Sequence, residues 1–352
     1  MRLTKDILNA LNEYAQRLTQ PVEIRLQTAT ATPHSKRDSL ESFLADFVSV
    51  SDKLSLVHGD FGLRSDVSFD LAVDGSSTGV VFSGIPGGHE FNSMVLAVLR
   101  AGGVEHKLDD SIAGLIRRID TPLHFEVFVS LSCHNCPDVV QTLQQFALLN
   151  PQVSAEMIDG GLFQDVVEAR DIQGVPSVYL DGELFAGGKV DAAKLVDQLI
   201  ERFPQLVETQ ATAELPLQDI TIMGGGPAGI SAAIYAARKG LKTTIITDRL
   251  GGQLKDTLGI ENLIGTLYTT GPDLTAALHT HAQEYEITIK ENVSVTAVSA
   301  AGASKRLTLS TGEVVDTRTL IVATGARWRE LGVPGEKENI GNGVAFCPHC
   351  DG

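Results

Sequence analysis

The sequence predicts an α/β protein in which two successive α/β units share one element order and a third unit, of doubly wound type, follows across a linker. Three observations carry this prediction. Strand-like and helix-like stretches alternate through residues 1–203, and their order recurs once. The segment "PQLVETQATAELPLQD" then breaks the periodicity with two prolines. After it, "ITIMGGGPAGISAAIYAARKG" sets a glycine-rich turn between a strand and a helix. At 352 residues the chain exceeds the roughly 250 that one hydrophobic core organises, so two or three domains are expected.

In chain order, Ile7, Leu8, Leu11, Tyr14, Ala15 and Leu18 have the spacing of an apolar helical face. Next come a strand at "VEIRLQT", a helix at "SLESFLADFVSVSD", strands at "KLSLVHG", "SFDLAV" and "GVVFSGI", and a helix from about His89 to Leu99. The second unit repeats the pattern. It has a helix at "SIAGLIRRI", a strand at "LHFEVFVSL", a helix through "DVVQTLQQFALLN", a strand at "VSAEMI", a helix at "LFQDVVEAR", a strand at "SVYL" and a helix at "VDAAKLVDQLIERF". The boundaries fall at 1–104, 105–203, a linker at 204–218, and 219–352.

Lys plus Arg number 28 against 44 Asp plus Glu, a formal charge of −16 that repels phosphate backbones and anionic lipid surfaces. Neither nucleic acid nor membrane is an expected partner. No apolar run reaches the ~18 residues of a spanning helix, and charges interrupt the start of the chain where a signal peptide would be apolar. A cytoplasmic location is expected.

All four cysteines lie in two C-x-x-C pairs, Cys133–Cys136 and Cys347–Cys350. In a reducing compartment such pairs are redox-active or bind metal. Zinc ribbons bring their halves within roughly 12–20 residues, far closer than these pairs, so no metal site is expected. Cys133 lies where an apolar strand meets a helix, and unpaired N–H groups with the helix dipole favour thiolate there. Cys133 is therefore the expected attacking thiol and Cys136 the resolving one, with His134 adding positive charge. The other reading, a buried structural pair, does not need a strand-to-helix junction. The first unit has no cysteine, and Glu90 in "PGGHEFNS" has two readings: a solvated helix-start carboxylate, which the surface preference of Glu favours, or a proton acceptor facing the cysteines.

Gly224, Gly226 and Gly229 have G-x-G-x-x-G spacing, with Pro227 and Ala228 between the last two. The first glycine permits a tight turn, the second lets a pyrophosphate approach the backbone, and the third lets helix pack on strand. Asp248 ends the next strand at about the 20-residue distance from which an acidic side chain reaches a ribose hydroxyl. A dinucleotide site follows, the alternative being an ordinary strand-to-helix turn.

Two further stretches, "DRLGGQL" and "TLIVATGARWRELGVPGE", resemble flavin-contacting segments of the pyridine nucleotide–disulfide oxidoreductases. "GVPSVY", containing Pro176, resembles the cis-proline loop that faces the cysteines in thioredoxin-fold proteins, whereas Val67 stands at the corresponding place in the first unit. Together with "SCHNCPD" and "CPHCDG", these motifs over essentially the whole chain resemble the family of alkyl hydroperoxide reductase flavoproteins. The resemblance implies tandem thioredoxin-like folds followed by a Rossmann-like FAD-binding domain. It also implies FAD contacts at Gly224, Gly226, Pro227, Ala228, Gly229, Asp248, Gly252, Gln253, Asn262, Ala323, Thr324 and Gly325. Electrons would pass from NADH (or NADPH) to FAD, to Cys347–Cys350, to Cys133–Cys136 and on to a peroxiredoxin, in a homodimeric enzyme. By similarity to thioredoxin reductases, Cys350 would lie against the flavin, Cys347 would exchange with the next dithiol, and Asp351 would act as acid.

The sequence departs from the family pattern in showing one dinucleotide fingerprint rather than two, and it resembles the N-terminal part of a longer enzyme with an incomplete flavin domain. The expectation is that this chain does not turn over NADH and that its flavin half lacks sheet partners. Three other functions compete: a thioredoxin-reductase-like enzyme whose fused dithiol carrier serves another protein disulfide, a thiol carrier with the flavin half as scaffold, and a structural zinc protein.

Overall fold

The computed structural model describes residues 2–326 apart from 30, 106–107, 189, 191, 209–214 and 258, together with 331, 333, 336 and 344. The first unit runs α1 (Lys5–Ala15), β1 (Val22–Gln27), α2 (Arg37–Val48), β2 (Leu54–Gly59), β3 (Ser68–Val73), β4 (Ser76–Ser83) and α3 (Phe91–Ala101). The second runs α4 (Asp110–Arg117), β5 (Leu123–Val129), α5 (Cys136–Leu149), β6 (Val153–Asp159), α6 (Gln164–Ala169), β7 (Ser177–Leu180), β8 (Glu183–Gly187) and α7 (Ala192–Arg202). Local chemistry explains the boundaries: the Thr4 hydroxyl accepts the Ile7 N–H at 3.4 Å to cap α1, and Pro137 opens α5 where its missing N–H costs no hydrogen bond.

The eight strands form one sheet in the order β2-β1-β3-β4-β6-β5-β7-β8. Each unit repeats one arrangement. Its first strand is parallel to the second and antiparallel to the third, which is antiparallel to the fourth. The units join where β4 runs parallel to β6, from Val80 opposite Ala155 to Ser83 opposite Ile158. Phe69 and Phe82 stack with centroids 5.0 Å apart within the buried core.

A charge network crosses this seam. Arg64, between β2 and β3, donates from Nε to Glu156 at 2.7 Å and from Nη2 to Glu126 at 2.5 Å, while Arg170 reaches Glu126 at 2.7 Å. The Ser83 hydroxyl donates to Glu156, and His124 Nε2 lies 3.7 Å from the same carboxylate. Burial alone would push the Glu156 carboxyl up, but His124, Arg64 and Ser83 together bring it down to about 2 from the ordinary 4.5. His124, Glu126 and Glu156 have ligand atoms within 4.8 Å of one another, yet the two arginines already neutralise the carboxylates.

Arg64→Met, which leaves buried charge unpaired, is expected to cost about 3 kcal/mol of stability in urea melts at pH 7. Because the Glu156 pKa is depressed in the fold, its contribution is present above about pH 4.5 and is lost as pH falls toward 2. The cost of the substitution should therefore shrink at pH 3, and an equal cost at both pH values would exclude the carboxylate pairing as its cause.

Past α7 the chain forms a short helix α8 (Gln205–Glu208), then β9 (Gln218–Met223), α9 (Pro227–Ala237), β10 (Thr243–Thr247), α10 (Gly271–Gln283), β11 (Ile287–Glu291), β12 (Val295–Ala301), β13 (Ser304–Leu309) and β14 (Val314–Val322). Their sheet is ordered β11-β10-β9-β14-β13-β12, with β9, β10, β11 and β14 parallel and β12–β14 an antiparallel meander.

Three features differ from the sequence reading. The start of the expected linker is helical, because Leu206 is buried and its carbonyl accepts from Arg118 at 2.9 Å. Strand β8 completes a hairpin with β7 across a tight turn in which Asp181 and Gly182 both take positive φ. The meander extends the flavin-type sheet beyond its strand-turn-helix start.

Candidate functional site

Strand β5 ends at Val129, and the loop that follows turns tightly enough for the Cys133 N–H to donate to the Ser130 carbonyl at 2.9 Å. Cys136 begins α5 and is fully buried, while Cys133 precedes the helix half-buried; the two are joined in a disulfide. Cys133 Sγ lies 3.8 Å from the carbonyl of Val175, which precedes Pro176 across a cis peptide bond. Val67 and Pro176 stand immediately before β3 and β7, the third strands of the two units, and the Val67 position carries no cis bond. The exposed rings of His134 and His89 meet with centroids 4.1 Å apart, joining the cysteine loop to the first unit.

Glu90 corrects an expectation. Instead of a solvated carboxylate at a helix start it is fully buried, in a 3-10 turn (Gly88–Glu90) packed on α5. The sequence misleads here because the 3-10 turn rotates Glu90 inward under the cysteine-bearing helix. Neither carboxylate oxygen finds a hydrogen-bond partner, and burial, reinforced by the charge of Asp138, pushes the group up to about 7 from 4.5.

The glycine-rich turn borders a cavity of about 660 Å³. Gly224 has φ +113°, and a Cβ there would stand 2.1 Å from the Ala323 carbonyl oxygen. A Cβ on Gly229 would stand 1.9 Å from the Gly224 carbonyl oxygen, whereas Gly226 has open space beside it. Only glycine brings β9, α9 and the segment after β14 this close while leaving room above the turn. The turn is held by the Gly225 N–H, which donates to the Thr247 hydroxyl at 2.9 Å, and by the Gly251 N–H, which donates to the Gly225 carbonyl at 2.8 Å.

Gly224, Gly226, Pro227, Ala228, Asp248, Gly252, Gln253, Ala323, Thr324 and Gly325 all line the cavity. The Gln253 amide also donates to the Ala326 carbonyl, tying the segment after β10 to the one after β14. Gly229 serves the site by packing rather than lining. Asn262 does not join it: the bridge between Ile260 and Thr269 closes the intervening loop, on which Asn262 is exposed. Cys347, Cys350 and Asp351 lie outside the described residues. Sequence reasoning missed Asn135, Asp138, Val190 and Ser294 as lining residues, because the dithiol unit supplies the first three and a strand junction the fourth.

Residues 218–352 match the pyridine nucleotide-disulphide oxidoreductase family model and residues 123–201 a thioredoxin domain model. The alkyl hydroperoxide reductase flavoprotein AhpF of Pseudomonas aeruginosa is 42% identical over 353 residues, which cover 99% of this chain and 67% of that protein. The chain belongs to the AhpF family of alkyl hydroperoxide reductase flavoproteins. A protein named NADH dehydrogenase from Ferdinandcohnia aciditolerans is 41% identical over 352 residues, 100% of this chain and 66% of that protein. The crystal structure of the NTD_N/C domain of AhpF from Enterococcus faecalis superposes with a TM-score of 0.51 at 33% identity, covering 57% of this chain and 99% of that one.

The chain thus spans about two thirds of the length of the curated AhpF relatives it matches. The family consists of flavoprotein disulfide reductases, a class that uses flavin and pyridine nucleotide. The glycine cradle fits such a group: the two glycines whose Cβ atoms would collide shape the turn, and the open one faces the cavity. Among the described residues no helix is long and apolar enough to cross a membrane.

Proposed function

We propose that the second unit is a dithiol carrier that reduces the disulfide of a peroxiredoxin and is itself reduced through FAD and the Cys347–Cys350 pair at the expense of NADH. The observation that carries this reading is Cys133 itself, half-buried before α5, facing the Val175–Pro176 loop, with Cys136 sealed behind it and Glu90 buried under the same helix. The boundaries that accompany it are a cysteine-free unit at 1–104, the carrier at 105–203 and a flavin-binding region from 219. Bound FAD would supply a two-electron relay between pyridine nucleotide and disulfide. The turn from Gly224 to Gly226 and the N-terminus of α9 would hold its pyrophosphate, and Asp248 a ribose hydroxyl.

In the carrier step, the Cys133 thiolate attacks one sulfur of the partner disulfide, a mixed disulfide forms, and the partner's other sulfur leaves as thiolate. Cys136, giving its proton to Glu90, then attacks Cys133 Sγ. The Cys133–Cys136 disulfide closes and the second partner sulfur leaves, so two electrons have passed to the partner. A carboxyl held near 7 is matched to taking that proton at neutral pH.

The test uses chain reduced with dithiothreitol, freed of reductant and mixed with an oxidised two-cysteine peroxiredoxin. Wild-type chain should transfer two thiol equivalents, Cys133→Ser none above background, and Cys136→Ser should accumulate a mixed disulfide visible on a non-reducing gel. Full transfer by Cys133→Ser would refute the assignment of the nucleophile. Faster reduction of a thioredoxin than of the peroxiredoxin would favour another protein disulfide as the physiological substrate.

A further inference from the structure

The cavity bordered by the glycine-rich turn is not closed by the flavin-type half alone. Asn135 and Asp138, in the first turn of the helix that begins with Cys136, form part of its wall together with Val190 from the segment before α7. The dithiol unit is held there by packing and by charge. Val190 and Val293 line the cavity and belong to one continuous buried core that also takes in Ile246, Leu307 and Val315. Lys290 of β11 reaches Asp109, before α4, at 3.4 Å and Glu313 at 3.0 Å, and the Ser294 hydroxyl donates to Asp197 of α7 at 3.3 Å. Ser294 lines the cavity as well. Asn135 stands at the N-cap of α5 without making the usual side-chain cap bond, so its amide is free to serve something else.

We propose that the first turn of α5 is a dinucleotide-contact surface, with Asn135 donating to a phosphate or ribose oxygen and Asp138 accepting from a ribose hydroxyl, so that occupancy of the cavity and reactivity of Cys133–Cys136 are linked. This rests on reading the cavity as a dinucleotide site. A volume of about 660 Å³ lies in the range in which pockets enclose cofactor-sized ligands. Linkage of this kind is reciprocal: whatever the dinucleotide does to the disulfide–dithiol equilibrium, the state of the cysteines does by the same factor to dinucleotide affinity.

The experiment measures two quantities on the full chain. Quenching of flavin fluorescence gives the Kd for FAD, and the rate at which tris(2-carboxyethyl)phosphine reduces Cys133–Cys136 is followed with and without saturating FAD. Occupancy should slow the reduction at least about 5-fold, the lower end of ordinary coupling between sites. In Asn135→Ala/Asp138→Ala the protection should fall below about 2-fold, with FAD still bound and the melting temperature unchanged. Both side chains are solvent-exposed, so the fold should tolerate the change. If FAD binds but leaves the wild-type rate unchanged, or protects the double variant equally, the shared wall is refuted while the flavin reading stands. If FAD does not bind at all, both fail together.

Discussion

Gly229→Val is expected to bind FAD at least about 100-fold more weakly than wild-type chain, equivalent to about 2.7 kcal/mol. A side chain at this position has no direction in which to yield. Its Cβ would come within 1.9 Å of the Gly224 carbonyl oxygen and 3.3 Å of the Ile222 side chain, and the first of these is backbone. Overpacking of a closed site costs about 1–3 kcal/mol or more. The only relief is to lift α9 off β9, which opens the turn that would hold the pyrophosphate. Isothermal titration with FAD measures the loss, and reduction of Cys133–Cys136 by dithiothreitol serves as the internal control. Gly229 packs near Ile222 and Ile230, in a core cluster separate from the one around α5, so the control should be unaffected. Wild-type affinity in the variant would show that the cradle is not where the dinucleotide binds.

Glu90→Gln is expected to stabilise the protein by about 3 kcal/mol at pH 8 and to have little effect at pH 4.5. The folded pKa of Glu90, about 7, lies above its ordinary 4.5, so the native state holds a proton that the unfolded chain releases. The cost of ionising this buried group is absent below pH 4.5, accumulates as pH rises through the interval and is complete above 7. At 1.36 kcal/mol per pKa unit the interval amounts to about 3 kcal/mol. Glutamine keeps the shape of the protonated acid and removes the titration. Urea melts across pH 4.5–8 report the difference, and a flat difference would mean that Glu90 meets solvent or a cation when ionised. In the same variant the pH profile of dithiol exchange should lose its inflection near 7, a change that a purely structural role would not produce.

The element order of both thioredoxin-like units was legible because each strand and helix is encoded in its own few residues. "SCHNCPD" and "GVPSVY" marked the face where Cys133 meets the Val175 carbonyl. The fingerprint at Gly224 likewise described its turn correctly, since the steric demand on those glycines is local. The remaining features depend on distant partners. Nothing in "GVVFSGI" or "VSAEMI" states that these two strands pair with each other. The burial of Glu90 follows from a 3-10 turn docking on α5, and a propensity for surface positions pointed the other way. Asn135 and Asp138 read as ordinary first-turn residues until the second half of the chain folds against them.

The junction of β4 with β6 gives the cysteine-free unit a task unrelated to electron transfer. Strand β6 is almost wholly apolar and buried, and it is hydrogen-bonded on both sides, to β5 and to β4. A carrier excised without residues 1–104 would present that strand as a bare edge. Its unpaired N–H and C=O groups would form a template for another copy to add on, and this is the geometry from which ordered aggregation starts. The first unit therefore acts as a molecular selvedge: it has the same weave as the working fabric and finishes the border that would otherwise unravel into polymer.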